Sequence, residues 1–344
     1  MTRPALALAI AAACGGGAGE RAPAAKAPAI DGTKAESDAK GLVTEIYESI
    51  GHGDIDGLMT LLAPPLVVFG PRRPDAMTTR TDAVVALKQM VDPKAKKKPS
   101  VRSSALAVVP SPGGRSAWAF DLVTVGAQTV AITAVLTNAD DIWLVSAASL
   151  GEQQAAKAVR AAQKQDAVVP PGMAGAAKAD GAVRGAVDKF TRGLADQRAW
   201  GDDLQKRSDA IVVGPALGEL ARGKQEIKKL WKRRARAKVQ EVLAGEVAAA
   251  TTADGQLAWV SASIVRFSDD DEPLPLRAFA VFEKHGGDFT LIALHESISI
   301  DAPGAGTALK KTQPPLVAKK DEAKPAATDD AKPKKKKKKK PVEN

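Results

Sequence analysis

The sequence Val67-Val68-Phe69-Gly70-Pro71 recurs 144 residues later as Ile211-Val212-Val213-Gly214-Pro215. Other matches keep the same order along the chain. Upstream, apolar residues fall at the three- and four-residue spacing of a helix face, at Val43, Ile46 and Ile50 and again at Val187, Phe190 and Leu194. Downstream, Ala117-Trp118 matches Ala258-Trp259, and 142–147 matches 289–294. Ordered self-similarity of this kind indicates two copies of one module.

Each copy is predicted to contain a helix, a short strand, a short helix and then long strands. The short helices are expected at 83–90 and 226–231. The long strands are expected at 101–109, 117–125, 128–137 and 142–149 in the first copy, and at 239–249, 257–267, 276–283 and 289–298 in the second. Residues rich in Pro, Gly, Asn and Asp separate the strands and suit tight reversals. Helices that lead into a curved antiparallel sheet predict an α+β fold, here two tandem cone-shaped α+β barrels.

A phrase on the first helix resembles a known superfamily. The residues that carry the resemblance are Glu45-Ile46-Tyr47-Glu48-Ser49-Ile50-Gly51-His52-Gly53-Asp54-Ile55-Asp56-Gly57-Leu58 and the later Phe69-Gly70-Pro71. They resemble the nuclear-transport-factor-2-like superfamily, and within it the SnoaL-like polyketide cyclases and the ketosteroid isomerases. The resemblance covers 36–150 and 178–300. The second copy keeps Gly214-Pro215 but has Asp196-Gln197-Arg198-Ala199-Trp200 where Gly-Asp would stand, so it is the more diverged copy.

The resemblance to ketosteroid isomerases implies a catalytic arrangement. In those enzymes a tyrosine on the first helix and a protonated carboxylic acid hold an enolate oxygen, and an aspartate just before the family's proline removes the proton. Tyr47 stands six residues before Gly53, which is the spacing of the family's tyrosine. The base position, however, falls on Gly70 in the first copy and on Gly214 in the second.

The acid position falls near Thr133 in the first copy and near Ala278 or Phe279 in the second. Because glycine carries no proton acceptor on its side chain, the isomerase mechanism does not transfer to either copy. Enzyme activity is therefore left uncertain, and a non-catalytic protein is the favoured interpretation.

His295-Glu296-Ser297 is a second candidate for chemistry. Adjacent strand residues point to opposite faces, so His295 and Ser297 are expected to share one face while Glu296 points away, and this geometry does not assemble a catalytic triad. His52 and His285 fall in expected turns, and no spacing of metal ligands is found, so neither a metal nor another cofactor is expected.

Large aromatic residues fall on the predicted barrel elements. Together with Tyr47 and His295 they form the candidate lining of a small apolar pocket, although core packing is the commoner role of such residues. The aromatic candidates are Trp118, Trp143, Trp231 and Trp259.

The N-terminus predicts export and lipid attachment. Arg3 is followed by an apolar stretch and by Ala11-Ala12-Ala13-Cys14, and Cys14 is the single cysteine of the chain. This pattern resembles the lipobox of bacterial lipoproteins, which implies cleavage before Cys14 and acylation of its thiol. A lone cysteine also excludes an internal disulfide. The sequence contains no run of 18 or more apolar residues, so no membrane-spanning helix is predicted.

The net charge of +10 is concentrated in the C-terminal tail, where 301–344 has thirteen lysines and six acidic residues. The unbroken run Lys334–Lys340 predicts disorder and attraction to anionic lipid or cell-wall polymer. Two further basic clusters follow the Gly-Pro motifs. They consist of Lys94, Lys96, Lys97, Lys98 and Arg102 in the first copy, and of Lys224, Lys228, Lys229, Lys232, Arg233, Arg234, Arg236 and Lys238 in the second.

The second cluster, and within it Lys228, Lys229, Lys232, Arg233, Arg234 and Arg236, is the candidate anion-binding surface, although a solvated helix face is the commoner explanation of such a run. Aromatic residues are not interleaved with these charges, so nucleic acid is not an expected partner.

These observations predict a lipid-anchored protein of the bacterial cell envelope, facing the periplasm or the cell surface. The expected segments are a signal peptide (1–13), a tether (14–35), a SnoaL-like domain (36–150), a linker (151–177), a second SnoaL-like domain (178–300) and a disordered tail (301–344). Since single modules of this kind pair through their sheets, we expect a monomer in which the two modules form an intramolecular pseudo-dimer.

The favoured function is a non-catalytic scaffold or a binding module for a small ligand or a partner. Two alternatives stay open. One is a divergent isomerase or cyclase that acts on a small apolar ligand through Tyr47 or His295. The other is a binder of anionic lipid or cell-wall polymer through the basic clusters and the tail.

Overall fold

The computed structural model describes residues 30–70, 72–73, 76–83, 100–125, 128–162, 181–269, 273–298 and 300–301. The labelled helices are α1 (Gly32–His52), α2 (Ile55–Thr60), α3 (Ala156–Ala162), α4 (Arg184–Ala195), α5 (Gln197–Leu204) and α6 (Gly223–Arg236). The strands are β1 (Leu62–Phe69), β2 (Arg72–Arg73), β3 (Ala76–Met77), β4 (Val101–Ser103), β5 (Ala107–Pro110), β6 (Ser116–Val125), β7 (Gln128–Ala139), β8 (Ile142–Glu152), β9 (Ile211–Val213), β10 (Leu220–Arg222), β11 (Gln240–Thr251), β12 (Leu257–Phe267), β13 (Leu274–His285), β14 (Asp288–Ser297) and β15 (Ile300–Asp301).

The chain forms a mixed α+β structure with two large sheets that share one strand order. The first sheet runs β3-β1-β8-β7-β6-β4, with β5 also paired to β6, and the second runs β10-β9-β14-β13-β12-β11. In each sheet the short early strand pairs in parallel with the last long strand, β1 with β8 and β9 with β14. The remaining pairs within these sheets are antiparallel. A β-bulge also falls at matching places, between Val135 and Leu136 and between Val281 and Phe282.

The Gly53-Asp54 phrase marks the junction of two helices. Gly53 ends α1 with a φ of 70°, in the left-handed region that glycine adopts without steric cost. Asp54 then begins α2, because its carboxylate accepts a hydrogen bond from the Gly57 amide. In the second half Asp196 caps α5 by accepting from the Arg198 amide, and its own φ of −138° needs no glycine. In the second half the single extended residue Asp196 thus joins the two helices, whereas in the first half Gly53 and Asp54 together join them.

Three buried apolar clusters hold the structure together. One lies between α1, α2 and the first sheet, and includes Leu42, Leu66 and Leu136. Another lies between α4, α5, α6 and the second sheet, and includes Phe190 and Trp200. The third lies between the two sheets. Each sheet therefore has a helix side, covered by its own helices, and a sheet-to-sheet side, which packs against the other sheet.

The sheet-to-sheet side is closed by aromatic packing. Phe69 of β1 packs against two residues of the second sheet. Its ring centroid lies 6.2 Å from that of Trp259 and 6.1 Å from that of Phe279, and those two rings stack on each other at 5.9 Å. Phe69 and Phe279 are fully buried and Trp259 is 4% exposed. At the rim, Ser116 donates a hydrogen bond to Asp254 across the contact at 2.8 Å.

The observed elements differ from the predicted ones in specific places. The strand expected at 101–109 is two strands, β4 and β5, because Ser104 and Ala105 turn away to bond the Leu122 carbonyl and the Asp121 carboxylate. The helix expected at 226–231 is the longer α6. Of the helix expected at 83–90, residues 84–90 lie outside the described residues. The described residues 80–83 are helical. Within the part of the chain that the structure describes, no helix is long and apolar enough to span a bilayer.

Two helical glycines offer a matched test of this packing. In α4, a Cβ at Gly193 would lie 1.7 Å from the indole nitrogen of Trp200, whereas a Cβ at Gly41 in α1 would meet nothing within 4 Å. We expect Gly193→Ala to lower the free energy of unfolding by about 1–3 kcal/mol through overpacking. Gly41→Ala should raise it by up to about 1 kcal/mol, because alanine loses less backbone entropy in a helix. Urea unfolding measures both, and equal effects would contradict the packing at Trp200.

Candidate functional site

The helix side of the first sheet holds a tyrosine beside a buried carboxylate. Tyr47 lies on α1 and packs against the first apolar cluster, and Asp121 lies on β6 with 1% exposure. One Asp121 oxygen accepts a hydrogen bond from the Ala105 amide at 2.9 Å. Burial and the neighbouring charge of Asp121 raise the pKa of Tyr47 above its ordinary value. Tyr47 therefore keeps its proton at neutral pH and is able to donate a hydrogen bond.

The helix side of the second sheet holds four charged side chains in contact, which we call the charge quartet. It consists of Arg234 on α6, Glu241 on β11, Arg266 on β12 and Glu296 on β14. Arg234 grips Glu296 with both terminal nitrogens, one of them at 3.0 Å. Arg266 donates to Glu241 at 2.8 Å and reaches Glu296 at 2.5 Å, and Arg234 lies 3.8 Å from Glu241.

The pKa values of the two acids of the charge quartet shift in opposite directions. Their side chains are fully buried, while the Arg234 and Arg266 side chains are 9% and 14% exposed. Burial acts to raise the pKa of Glu296, but the charges of Arg234 and Arg266 outweigh it and lower that pKa to about 2. Burial and the neighbouring Glu296 carboxylate raise the pKa of Glu241 despite the same two arginines. The charge quartet thus places two arginines and two glutamates in mutual contact on the helix side of the second sheet.

His295 lies on the sheet-to-sheet side, 1% exposed. Ser297, two residues along β14, shares that face, and Glu296 points to the helix side, so the alternation expected from the sequence is confirmed. A Cβ placed on Gly151 of β8 would lie 2.6 Å from both His295 Nε2 and Ser297 Cβ, so His295 fills the space above that glycine. Burial and the charge of Arg277 lower the pKa of His295 to about 3.

Arg277 anchors the same face. It lies on β13, is 2% exposed, and donates to the carbonyls of Gly70 at 2.6 Å and Leu150 at 3.1 Å, across the contact between the sheets. Its guanidinium also lies 5.5 Å above the ring of Phe69. These contacts give His295 and Arg277 a role in joining the two sheets, and they leave His295 away from the Tyr47–Asp121 pair.

The positions implied for isomerase chemistry are not brought together as a catalytic set. The Gly70 carbonyl is held by Arg277. A Cβ on Gly214 would lie 2.3 Å from a carboxylate oxygen of Glu219, so the Glu219 side chain occupies the space beside this glycine. Thr133 shares the sheet-to-sheet face of β7 with Ala131 and Val135. Phe279 faces the other sheet and Ala278 lies in the helix-side cluster.

The aromatic candidates fall into three separate clusters instead of one pocket. Trp118 and Trp259 are buried between the sheets, so they do not line the mouth of a barrel. Trp143 belongs to the first helix-side cluster together with Tyr47. Trp231 belongs to the second helix-side cluster, where its indole donates to the Gln197 carbonyl.

The candidate anion-binding residues lie on α6, where all but one are exposed to solvent. The exception is Arg234, which is 8% exposed and paired with Glu296, so it is not available to an external anion. In the first basic cluster Arg102 is exposed on β4. Lys94, Lys96, Lys97 and Lys98 lie outside the described residues, as do Cys14, the signal peptide and the lysine-rich tail.

The sequence analysis did not single out Asp121, nor Glu241 and Arg266 of the charge quartet, and it did not pair Arg234 with Glu296. The members of the charge quartet lie on four different elements, so no local spacing marks them. The available signal is a lone charged residue at a core position of a strand, as at Asp121 and Glu296. Among the described residues no group of three or more His, Cys, Asp or Glu side chains is arranged to hold a metal ion.

Residues 191–301 match the family described as the SnoaL-like domain. A SnoaL-like domain is therefore found in the second half of this chain. A search of curated proteins gives no match.

Solved structures of the NTF2-like family are similar to part of the chain. A protein of unknown function from Pseudomonas putida is 16% identical over 36% of this chain and 92% of its own, with a TM-score of 0.33. A putative dehydratase from Streptomyces avermitilis is 16% identical over 36% of this chain and 99% of its own, with a TM-score of 0.31. A putative scytalone dehydratase from Novosphingobium aromaticivorans is 10% identical over 34% of this chain and 83% of its own, with a TM-score of 0.30.

The charge quartet of the SnoaL-like domain predicts an acid-dependent stability. Glu296→Gln leaves two buried guanidinium groups with one carboxylate, so we expect it to lower the free energy of unfolding by about 3–5 kcal/mol at pH 7. Because the pKa of Glu296 is lower in the folded protein than in the unfolded chain, its stabilisation is present above about pH 4.3 and is lost as the pH falls towards 2. The cost of the substitution should therefore be smaller at pH 3 than at pH 7.

Glu241→Gln is the matched control, since it removes a buried carboxylate from the same group. The raised pKa of Glu241 means that burial already works against its charge, so its loss should cost less than the loss of Glu296 at pH 7. Urea unfolding at the two pH values measures both variants. A Glu296→Gln cost that is independent of pH, or equal to that of Glu241→Gln, would contradict this account.

Proposed function

We propose that the chain is a non-catalytic, lipid-anchored protein of the bacterial cell envelope, with two SnoaL-like modules in tandem that act as a scaffold or as a binding module for a small ligand or a partner. The modules would form an intramolecular pseudo-dimer, and lipid on Cys14 would hold the protein at a membrane. The observation that carries the non-catalytic assignment is the state of the two base positions.

Both base positions are closed to chemistry. Gly70 and Gly214 have no side chain, the Gly70 carbonyl is bound by Arg277, and Glu219 occupies the space beside Gly214. A proton abstraction next to a carbonyl needs a base within hydrogen-bond reach of the substrate. The charge quartet adds to this argument, because its four side chains on the helix side of the second half are engaged with one another.

The packing of the two sheets supports the proposed pseudo-dimer. Phe69, Trp259 and Phe279 form one apolar contact, and Arg277 reaches two carbonyls of the opposite sheet. Residues on these faces are largely buried within a single chain, so the same faces are not available to a second copy. A monomer is the expected state in solution.

Lipid attachment is tested by metabolic labelling with palmitate in a bacterial host. The wild-type chain should incorporate label and sediment with membranes, because two or more acyl chains anchor a protein stably. Cys14→Ala should lose the label and move to the soluble fraction, and the released protein should sediment as a monomer in analytical ultracentrifugation. Cys14→Ser, which keeps the size of the side chain, serves as a second variant.

The results separate the parts of this proposal. An unlabelled wild-type chain would remove the lipid anchor and the envelope assignment. A released protein that forms a tight dimer would remove the intramolecular pseudo-dimer and leave the anchor standing.

A second candidate function is favoured by the Tyr47–Asp121 pair. Tyr47 keeps its proton and is able to donate a hydrogen bond to an oxyanion. The pair is not repeated in the second sheet, where the equivalent of Asp121 is Ala262, which pairs with Ala278 as Asp121 pairs with Ile132. This candidate is a divergent isomerase or cyclase, with its site on the helix side of the first half and its base still unassigned.

Binding of planar phenols tests this second candidate. Phenols mimic an enolate, so saturable binding by titration calorimetry is expected if Tyr47 donates to the bound oxygen. Tyr47→Phe should then weaken the affinity about tenfold or more, since a hydrogen bond to a charged group contributes about 1.5–3 kcal/mol. Trp143→Phe controls for altered packing in the same cluster. An affinity that is unchanged in Tyr47→Phe, or an absence of binding, would exclude the oxyanion role.

A further inference from the structure

A groove runs along the outside of α6 next to β10. Its volume is about 470 Å³, and its walls contain both apolar and basic residues. The apolar part is formed by Leu220 and Ala221 of β10. The remaining lining residues are Glu226, Lys229, Lys232, Arg233 and Arg236, all on α6.

The four cations of this groove face solvent. Lys229, Lys232, Arg233 and Arg236 are exposed, and in the described part of the chain no carboxylate lies within ion-pair distance of them. Neighbouring cations behave differently, since Arg234 is bound to Glu296 and Lys238 to Asp269. Charges of one sign that are left uncompensated along a groove raise the local concentration of the opposite charge.

Stabilisation of the helix explains only part of this arrangement. Basic side chains in a last turn interact favourably with the negative end of the helix dipole, and Arg233 and Arg236 lie in the last turn of α6. The effect falls off within one turn, so it does not account for Lys229 and Lys232. The one acid in the groove, Glu226, is engaged by the amide of Arg222 at 2.8 Å.

The groove is held rigidly from below. Ile227 and Trp231 pack into the second helix-side cluster, and Arg234 fixes the same helix to the sheet through the charge quartet. From Lys229 to Arg236 the helix rises about 10 Å, so the four cations form a stripe of defined length. A site whose side chains stand on a fixed helix loses less entropy when it binds a ligand.

We propose that this groove binds a ligand with two or more clustered phosphate groups, which the cation stripe would hold while an apolar part of the ligand covers Leu220. The volume is within the range of small-molecule sites, about 300–1,000 Å³. The proposal gives a ligand class to the binding module described above, and it does not depend on acylation of Cys14 or on the tandem arrangement.

The test compares two double variants of one helix with the same change in charge. Lys232→Gln/Arg236→Gln removes two groove cations, and Lys224→Gln/Lys228→Gln removes two exposed lysines that do not line the groove. Both are made in the full chain with Lys334–Lys340 changed to Gln, so that the tail does not obscure the measurement. Titration calorimetry with inorganic tripolyphosphate and co-sedimentation with vesicles of phosphatidylglycerol and phosphatidylcholine provide the two arms.

The groove variant should weaken binding about tenfold or more, and the control pair less than about threefold, because only the groove cations contact the phosphates. Such a difference with tripolyphosphate assigns the site to a soluble phosphorylated ligand, and the same difference confined to vesicles assigns it to lipid headgroups. Equal losses in the two variants would show a general charge effect and overturn the proposal. An absence of binding in both arms would overturn it as well, and it would leave palmitate labelling at Cys14 unaffected.

Discussion

The burial of two sheet faces against each other is the constraint on which this structure depends. Phe69, Trp259 and Phe279 occupy the centre of that contact and are almost entirely removed from water. Because side chains alternate along a strand, every second position of the facing strands is committed to this packing. Polar side chains must then either lie at the other positions, on the helix sides, or be buried between the sheets as His295 and Arg277 are.

The helix sides of the two sheets contain different polar groups. The first keeps a tyrosine beside a buried aspartate, and this environment raises the pKa of Tyr47. The second holds four charged groups that neutralise one another. Breaking such a buried group is costly, while replacing it as a whole by apolar residues is often neutral or stabilising, so the cost of breaking it does not measure a net gain in stability.

Much of the fold was within reach of the sequence, and the sites were not. Strand alternation and turn residues located β6, β7, β8, β12, β13 and β14 to within about three residues of their ends, because these signals are local.

The alignment of β8 with β14 that the sequence implies is wrong by one residue. The structure sets Ala147 beside Val67 and Ala293 beside Ile211, an offset of 146, whereas the matched segments 142–147 and 289–294 imply 147. A shift of one residue reverses the face of every side chain in the strand. It follows that Ser149, and not Ala148, is the counterpart of His295. Asp121 and the contacts among the four residues of the charge quartet could not be predicted, because the partners lie on different elements and meet only in the folded chain.

The contact between Gly151 and His295 shows what a single polypeptide permits in such an interface. Between two identical copies, each substitution appears on both sides of the symmetry axis, so a bulky residue must be compatible with its own duplicate. Here the first sheet offers a glycine where the second offers an imidazole, and the corresponding register positions, Ser297 and Ser149, are both small. The facing surfaces are free to become complementary as an unequal pair, with a protrusion on one and a recess on the other.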